Sequence, residues 1–358
     1  MKIKFRLGEL FCGPGGIALG ASLAGKNNSK IHLEHTWASD YHPDSCSTYK
    51  LNFPETNVIC EDVISLNLNK LKPIDAFAYG FPCNDFSIVG ESKGLKGKFG
   101  GLYRYGVDIL NKFNPKFFIA ENVSGLTSSN GGKAFKKITS ELSKAGKNGY
   151  DLVIHKYKFE QYGVPQTRHR IIIVGIDKKL GLIYKVPSPT TLNKYITSRE
   201  ALEVPPIKSG VFHNEIKKQN ERITERLKLI KPGQNVWNAI LPKHLKLNVK
   251  NTKMSQIYKR LDPSKPAYTI TGSGGGGTHG YHYKEPRALT NRERARIQTF
   301  PDNFNFVGNS ESIRRQIGMA VPPQGIRIIF ESIIKTFSKV NYSSIPANIK
   351  EYNQPDLI

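Results

Sequence analysis

The sequence predicts an α/β fold: a doubly wound sheet domain in the first half of the chain, followed by a separate loop-rich module. Three observations carry this. From Lys2 to about Tyr184, short apolar runs alternate with helix-like stretches, the pattern of parallel strands joined by crossover helices. From about Lys185 that rhythm breaks, and prolines at 187, 189, 205, 206, 232, 242, 263 and 266 punctuate basic, weakly periodic sequence that closes on Gly272-Ser273-Gly274-Gly275-Gly276-Gly277. After Pro286 helical patterning resumes, so the chain is expected to return to the first domain. The expected organisation is therefore 1–184 plus 286–340 as the sheet domain, 185–285 as the loop-rich module, and 341–358 as a polar, partly loose tail.

The strands follow in order. Phe5 to Phe11, His35 to Ser39, Asp75 to Tyr79, Phe117 to Ala120 and Ile171 to Gly175 are apolar runs that end where polar or glycine residues begin. Leu10-Phe11-Cys12-Gly13-Pro14-Gly15-Gly16-Ile17 opens the first strand into a helix through glycines, a turn that lets a ligand approach bare backbone. In the last part, Thr290 with Glu293 makes a capping box for a helix over Thr290 to Thr299. A second helical stretch runs from Ser312 to about Phe337 and is interrupted at Pro322-Pro323.

Composition bounds the function. The 358 residues are enough for one large domain with an insertion, or for two domains, each with its own core. Four cysteines, Cys12, Cys46, Cys60 and Cys83, show no paired spacing, so no disulfide framework and no metal site is expected. The opening residues carry no signal-peptide pattern and no run is long enough to span a bilayer, so a soluble cytoplasmic protein is expected. The formal net charge is +24, and residues 185 to 285 hold 18 Lys and Arg against 7 Asp and Glu. A polyanionic partner, with that segment as its electrostatic footprint, is the expectation; a merely solvated lysine-rich surface is the alternative.

Four places carry chemistry. In open α/β sheets ligands lie at the carboxyl ends of strands. The glycine turn at Phe11 to Gly16 stands at one such end and suits several nucleotide cofactors. Asp40 ends the second strand, where a carboxylate can grip ribose hydroxyls, and Tyr41 beside it can stack on a purine; Glu61-Asp62-Val63 follows a third strand. The second place is Gly80-Phe81-Pro82-Cys83-Asn84-Asp85-Phe86-Ser87, which puts a cysteine just past a strand end. A lone cysteine is more often packing than nucleophile, because a nucleophile must ionise readily. The third, Ile119-Ala120-Glu121-Asn122-Val123, brings a carboxylate and an amide to a further strand end. The fourth, Gln166-Thr167-Arg168-His169-Arg170, precedes a strand and offers two guanidiniums at alternate positions, expected to point the same way toward an anion.

Together these runs closely resemble the DNA cytosine-C5 methyltransferase family of the bacterial restriction-modification type. The motifs fall in the family's order: Phe-x-Gly-x-Gly-Gly at 11–16, Pro-Cys at 82–83, Glu-Asn-Val at 121–123 and Gln-x-Arg-x-Arg at 166–170. Arg287-Ala288-Leu289-Thr290 with Arg292 to Pro301, and Gln316 to Pro322, complete the set. The resemblance implies a Rossmann-like S-adenosylmethionine-dependent methyltransferase domain and a smaller, loop-rich target recognition domain at 185–285. It implies Cys83 as the nucleophile that adds to C6 of a flipped cytosine, Glu121 on the base's exocyclic amine and N3, and Arg168, with Arg170, in support.

By the same resemblance, S-adenosyl-L-methionine, leaving as S-adenosyl-L-homocysteine, would rest on Phe11, Gly13, Gly15 and Gly16. Asp40 would hold its ribose, Tyr41 its adenine and Asp62 the adenine amino group, with Val63, Pro82, Leu102, Met319 and Ala320 lining the pocket. Duplex DNA would meet Ser87, Lys93, Lys96, Lys98, Gln166, Arg260, Gly274, His279 and Tyr281. The loop after Ser87, with glycines at 90, 94, 97, 100 and 101, would close over the base. The implied partners are double-stranded DNA and, genetically rather than physically, a restriction endonuclease; the implied state is a monomer, with no membrane association. Three positions depart from the family pattern: Asn84 stands where a Gln usually follows the nucleophile, Met319 where an Asn is usual, and Cys12 lies within the cofactor loop. Cys12, inside the glycine turn, is expected to pack.

Three other readings compete. A tRNA cytosine-C5 methyltransferase would share the glycine turn and the Pro-Cys run, but its recognition region is usually short, unlike the basic insert here. A non-catalytic DNA-binding relative would have lost Cys83, Glu121 or Arg168, and all three are present. A nicotinamide oxidoreductase would leave Pro-Cys and Gln-x-Arg-x-Arg unexplained.

Overall fold

The computed structural model describes residues 3–26, 31–82, 101–247, 254–272 and 277–349. By internal contacts it divides into two compact units, residues 1–159, 169–189 and 323–358 in the first and 160–168 and 190–322 in the second.

The first unit is a seven-stranded sheet with the order β3-β2-β1-β4-β5-β8-β6. Its strands are β1 (Ile3–Leu10), β2 (Ile31–Asp40), β3 (Asn57–Cys60), β4 (Ala76–Gly80), β5 (Phe117–Val123), β6 (Tyr150–Lys158) and β8 (His169–Asp177); β7 (Gln166–Thr167) lies in the second unit. The pairs β1–β2, β2–β3, β1–β4 and β4–β5 are parallel, as expected. β8 is not: it runs antiparallel to β5 on one side and to β6 on the other. Residues 159–168, which lead from β6 to β8, contain no α-helix to carry the chain back for a parallel return. The start of β8, not its end, therefore lies level with the carboxyl ends of β4 and β5; Arg170 pairs with Val123.

Side chains alternate across this sheet. On one face Phe5 and Phe117 meet each other edge to face, and Phe330 and Phe337 from α9 (Pro323–Phe337) pack against Phe117. On the other face Trp37, Phe77 and Phe118 share a buried cluster with Ile109 and Leu110 of α3 (Tyr103–Phe113) and Phe135, Ile138 and Leu142 of α4 (Lys133–Lys144). Helices α1 (Gly16–Lys26) and α2 (Pro43–Asn52) follow β1 and β2. The segment expected to be a loose tail is tied down as far as it is described. β11 (Ser344–Ile345) pairs with β9 (Val186–Pro187), and the Asn348 side chain accepts from the Lys156 amide at 2.7 Å. Local sequence carries no sign of these partners, which are more than 150 residues away.

The second unit has little regular structure, as its proline-rich sequence predicts: helices α5 (Ser198–Glu203), α6 (Glu221–Leu229), α7 (Asn291–Ile297) and α8 (Ser310–Met319), and the two-residue pairing of β7 with β10 (Ala267–Tyr268). The Thr290–Glu293 capping box forms on α7 as expected, and a second, Thr197–Glu200, starts α5. The expected return to the sheet domain at 286 is displaced to about residue 323. Arginines on α7 give the physical reason. Arg292 donates to the carbonyls of Phe212, Pro301 and Phe304, Arg294 to those of Leu289 and His279, and Arg296 to Pro205 and the Asp302 carboxylate. Each satisfies loop carbonyls that lack a ladder or helix partner.

Candidate active site

Strand order reverses between β1 and β4, and the carboxyl ends of these neighbours carry the glycine turn and the Gly80-Phe81-Pro82 run. After Leu10 the backbone enters the left-handed region three times in five residues, at Phe11 (φ 52°), Gly13 (φ 53°) and Gly15 (φ 95°). At Gly15 a Cβ would come within 2.7 Å of the Phe53 ring, so both conformation and space require glycine there. At Gly13 a Cβ would meet nothing within 4 Å, so bare backbone borders open space. Asp40, at the end of β2, holds this turn: its carboxylate accepts from the Gly13 amide and from the His42 amide, each at 2.9 Å. Burial raises the Asp40 pKa above the ordinary carboxylate value, against the opposing pull of those amides. Tyr41 is 66% exposed and free to stack, and Asp62 is an exposed carboxylate beyond β3 that accepts from the Ile64 amide. Val63 and Phe81 are buried in the large cluster under the sheet's α3–α4 face, and Phe11 and Leu102 pack on it partly exposed. Cys12 and Cys46 are buried, and burial raises both thiols, as befits packing residues.

Beside Gly80-Phe81-Pro82, the ends of three strands converge. Glu121 on β5 is level with Gly80 on β4 and Ile172 on β8. Its Oε1 lies 2.9 Å from Nε of Arg170, and both side chains are largely buried. The missing side chain at Gly80 leaves room for the carboxylate, since a Cβ there would stand 3.2 Å from Glu121 Oε2. Asn122, 3% exposed, donates from Nδ2 to the Phe81 carbonyl at 3.0 Å and so ties β5 to the chain entering the cysteine loop. The sequence reading gave Asn122 no role. The signal was available: an amide at the inner end of an apolar strand needs a buried partner.

Cys83, Asn84, Ser87, Lys93, Lys96, Lys98 and Gly274 lie outside the described residues. The two arginines of Gln166 to Arg170 do not act as the pair expected from alternation. Arg170 meets Glu121, whereas the buried Arg168 donates to the carbonyls of Ile270 and Ala320 within the second unit. Arg168 falls between β7 and β8, so strand alternation does not extend across it. Met319 and Ala320 also belong to the second unit; Met319 is 67% exposed and Ala320 buried.

Three of the expected DNA contacts are interior. Gln166 is fully buried, bonded through its amide to Gln298 and through its oxygen to the Ile270 amide. Arg260 donates to the carbonyls of His282, Leu227, Ile230 and Tyr283, and Tyr281 stacks on Tyr258 with 2% exposure. These side chains build the unit and cannot reach a surface ligand. His279 is partly buried, with its Nδ1 3.0 Å from the Arg314 guanidinium.

The family described as C-5 cytosine-specific DNA methylase matches residues 5–335. The chain is 54% identical to the type II methyltransferase M.BbvI of Brevibacillus brevis, with 96% of this chain and 94% of the relative aligned. It is 36% identical to the type II methyltransferase M.NgoFVII of Neisseria gonorrhoeae, at 99% and 93% coverage. Among solved structures, a prophage-encoded DNA modification methyltransferase of Escherichia coli superposes with a TM-score of 0.73 at 24% identity, covering 94% of this chain and all of that one. The Dnmt2 methyltransferase of S. pombe gives 0.58 at 16% identity, with 93% and 99% covered; both likenesses speak to the fold. The same motifs, the sheet that aligns them and these relatives agree: the chain belongs to the C-5 cytosine-specific DNA methylase family and is a DNA cytosine-C5 methyltransferase.

Proposed function

We propose that this enzyme methylates C5 of a cytosine flipped out of a short duplex site, with S-adenosyl-L-methionine as donor and Cys83 as the attacking thiolate. The observation that carries the reading is the Glu121–Arg170 pair, 2.9 Å apart, set over Gly80 at the strand end that leads directly into Pro82 and Cys83. Cytosine C5 is too weak a nucleophile to react unaided. A bond from the Cys83 sulfur to C6 saturates the C5–C6 double bond and shifts its electrons into an enamine across C4 and C5, while Glu121 accepts from the exocyclic amine and shares a proton with N3 as charge builds there. Arg170, 2.9 Å away, fixes the rotamer of Glu121 and balances its charge. The cofactor, when bound, supplies an electrophilic methyl group. C5 takes that methyl, water accepts the C5 proton, and elimination of the Cys83 thiolate restores aromaticity.

The described residues fit such a cofactor: open backbone at Gly13, the exposed Tyr41 ring, and carboxylates at Asp40 and Asp62 stand at the carboxyl ends of neighbouring strands. Gly13 and Gly15 would let it approach, Asp40 would hold a ribose while bracing the turn, Tyr41 would stack on the base, and Asp62 would take its amino group. The second unit is the target recognition module, and duplex DNA its ligand. Protection of host DNA from a cognate endonuclease and a monomeric state complete the reading; the type II relatives support the first. Cys83→Ser should abolish tritium transfer from labelled S-adenosylmethionine to DNA and leave duplex binding intact; unchanged turnover would overturn the mechanism. Bisulfite sequencing of DNA from expressing cells should show 5-methylcytosine in one sequence context, and none there would favour an RNA substrate.

A further inference from the structure

We propose that Ile240 makes an apolar contact with the base pairs of the bound duplex and so determines specificity. The inference rests on reading the second unit as the target recognition module. Ile240 is 97% exposed, more than any other large hydrophobic side chain among the described residues. Singly exposed apolar residues are ordinary, so exposure alone decides nothing. What sets Ile240 apart is the rigidity of the chain that carries it. Val236, Leu241 and Leu245, on either side, are buried in one cluster with Leu227, Ile230 and Tyr258. Upstream, the Asn235 side chain accepts from the Trp237 amide, and the Trp237 indole donates to the Met254 carbonyl at 3.0 Å. Downstream, Arg222 and Arg226 donate to the carbonyls of His244 and Leu245. The backbone is pinned on both sides, and only this side chain of the apolar run is held out in water.

The charge around it selects the partner. From Arg226 to Leu261 the sequence has Arg226, Lys228, Lys231, Lys243, Lys246, Lys250, Lys253, Lys259 and Arg260 and no Asp or Glu. Lys243, His244 and Lys246, a few residues past Ile240, are exposed. A second copy of this chain would bring the same cations to the contact. Duplex DNA offers phosphates to the lysines and apolar base edges, the thymine methyl among them, to the isoleucine. The basic and aromatic residues expected to touch DNA, Arg260 and Tyr281, are buried; the surface instead presents an aliphatic tip among lysines.

The test uses the full chain and two labelled duplexes, one with the context found by bisulfite sequencing and one with that context scrambled, in fluorescence anisotropy titrations over a range of salt. Ile240→Ala should weaken binding to the site duplex about tenfold. Binding to the scrambled duplex should change less than about twofold, with the slope of log Kd on log salt and the melting temperature unchanged, because no phosphate contact and no buried contact is lost. Lys246→Ala should instead weaken both duplexes alike and flatten the slope. Equal weakening of both duplexes by Ile240→Ala, a changed salt slope, or no weakening would overturn the proposal. So would light scattering that shows a dimer dissociated by Ile240→Ala, since a second copy would then cover this side chain. If the unmodified chain failed to distinguish the two duplexes, the reading of the second unit would fall with it.

Discussion

Arg168 and Arg170 stand two positions apart in one motif, and the structure gives them different work. Arg170 is held against a carboxylate, Arg168 against two backbone carbonyls. Arg168→Ala should therefore act on stability, costing about 2–3 kcal/mol in urea unfolding because the carbonyls of Ile270 and Ala320 lose charged donors inside the protein. Glu121→Gln, which keeps an oxygen acceptor for Arg170, should slow methyl transfer about 10²–10³-fold at saturating DNA, the usual cost of losing one group that stabilises developing charge, with kcat measured at a temperature where urea unfolding shows the variant folded. At this scale the sequence placed Asp40, Asp62 and Glu121 at or just past the ends of strands, and the structure has them there, since acidic residues stop apolar strands. It showed Arg260, Tyr281 and Gln166 wrongly. An arginine or tyrosine in a loop looks like a surface contact, and only the tertiary structure reveals that loop carbonyls or another ring surround it.

The elements of the sheet were legible wherever a run was apolar on both faces, and β1, β2, β4 and β5 form close to where they were expected. The direction of β8 was not, because orientation depends on the connection and not on the strand. β6 went unread although Tyr150, Leu152 and Ile154 alternate with less buried positions; Asp151, His155 and Lys156 broke up the apolar run. Helix α1 packs on α9 at Gly20, where a Cβ would approach Ile326 Cγ2 to 2.1 Å and the Pro323 carbonyl to 2.8 Å. Gly20→Ala should cost about 1–3 kcal/mol through overpacking, read as a lower urea midpoint. His155 in β6 links an element to pH. Burial pulls it from 6.5 down to about 4, and its Nδ1 accepts from the Asn348 amide. Between those values the unfolded chain binds a proton that the folded chain does not, so the contribution is complete above about pH 6.5 and is lost as pH falls. Stability should drop by about 2 kcal/mol from pH 7.5 to pH 5 through this group. Unfolding curves of His155→Gln at both pH values should show that much less acid loss than the parent.

For the whole molecule, the two-domain division and the polyanionic partner were readable from composition, and the boundary was not. Helical patterning after Pro286 predicts a return to the sheet, yet the arginines of α7 belong with loops near residues 205 to 213. This bears on grafting. Exchanging residues 190–285 with those of another such methyltransferase should give a chimera that melts lower than one exchanging 190–322, because the shorter graft separates Arg292 from the Phe212 carbonyl and Arg296 from that of Pro205. Bisulfite sequencing should show that the methylated context follows the graft in both.

The polypeptide passes between the two units at 159–160, 168–169, 189–190 and 322–323, so α9, which covers one face of the sheet, is made only after the second unit is complete. A cut anywhere from 190 to 322 leaves an N-terminal piece whose sheet lacks Phe330 and Phe337, and a C-terminal piece whose α9 has no sheet to cover. Neither piece holds the whole core of the first unit. Produced separately they should be inert, and mixed they should regain tritium transfer to DNA, since each carries the surface that the other's core lacks.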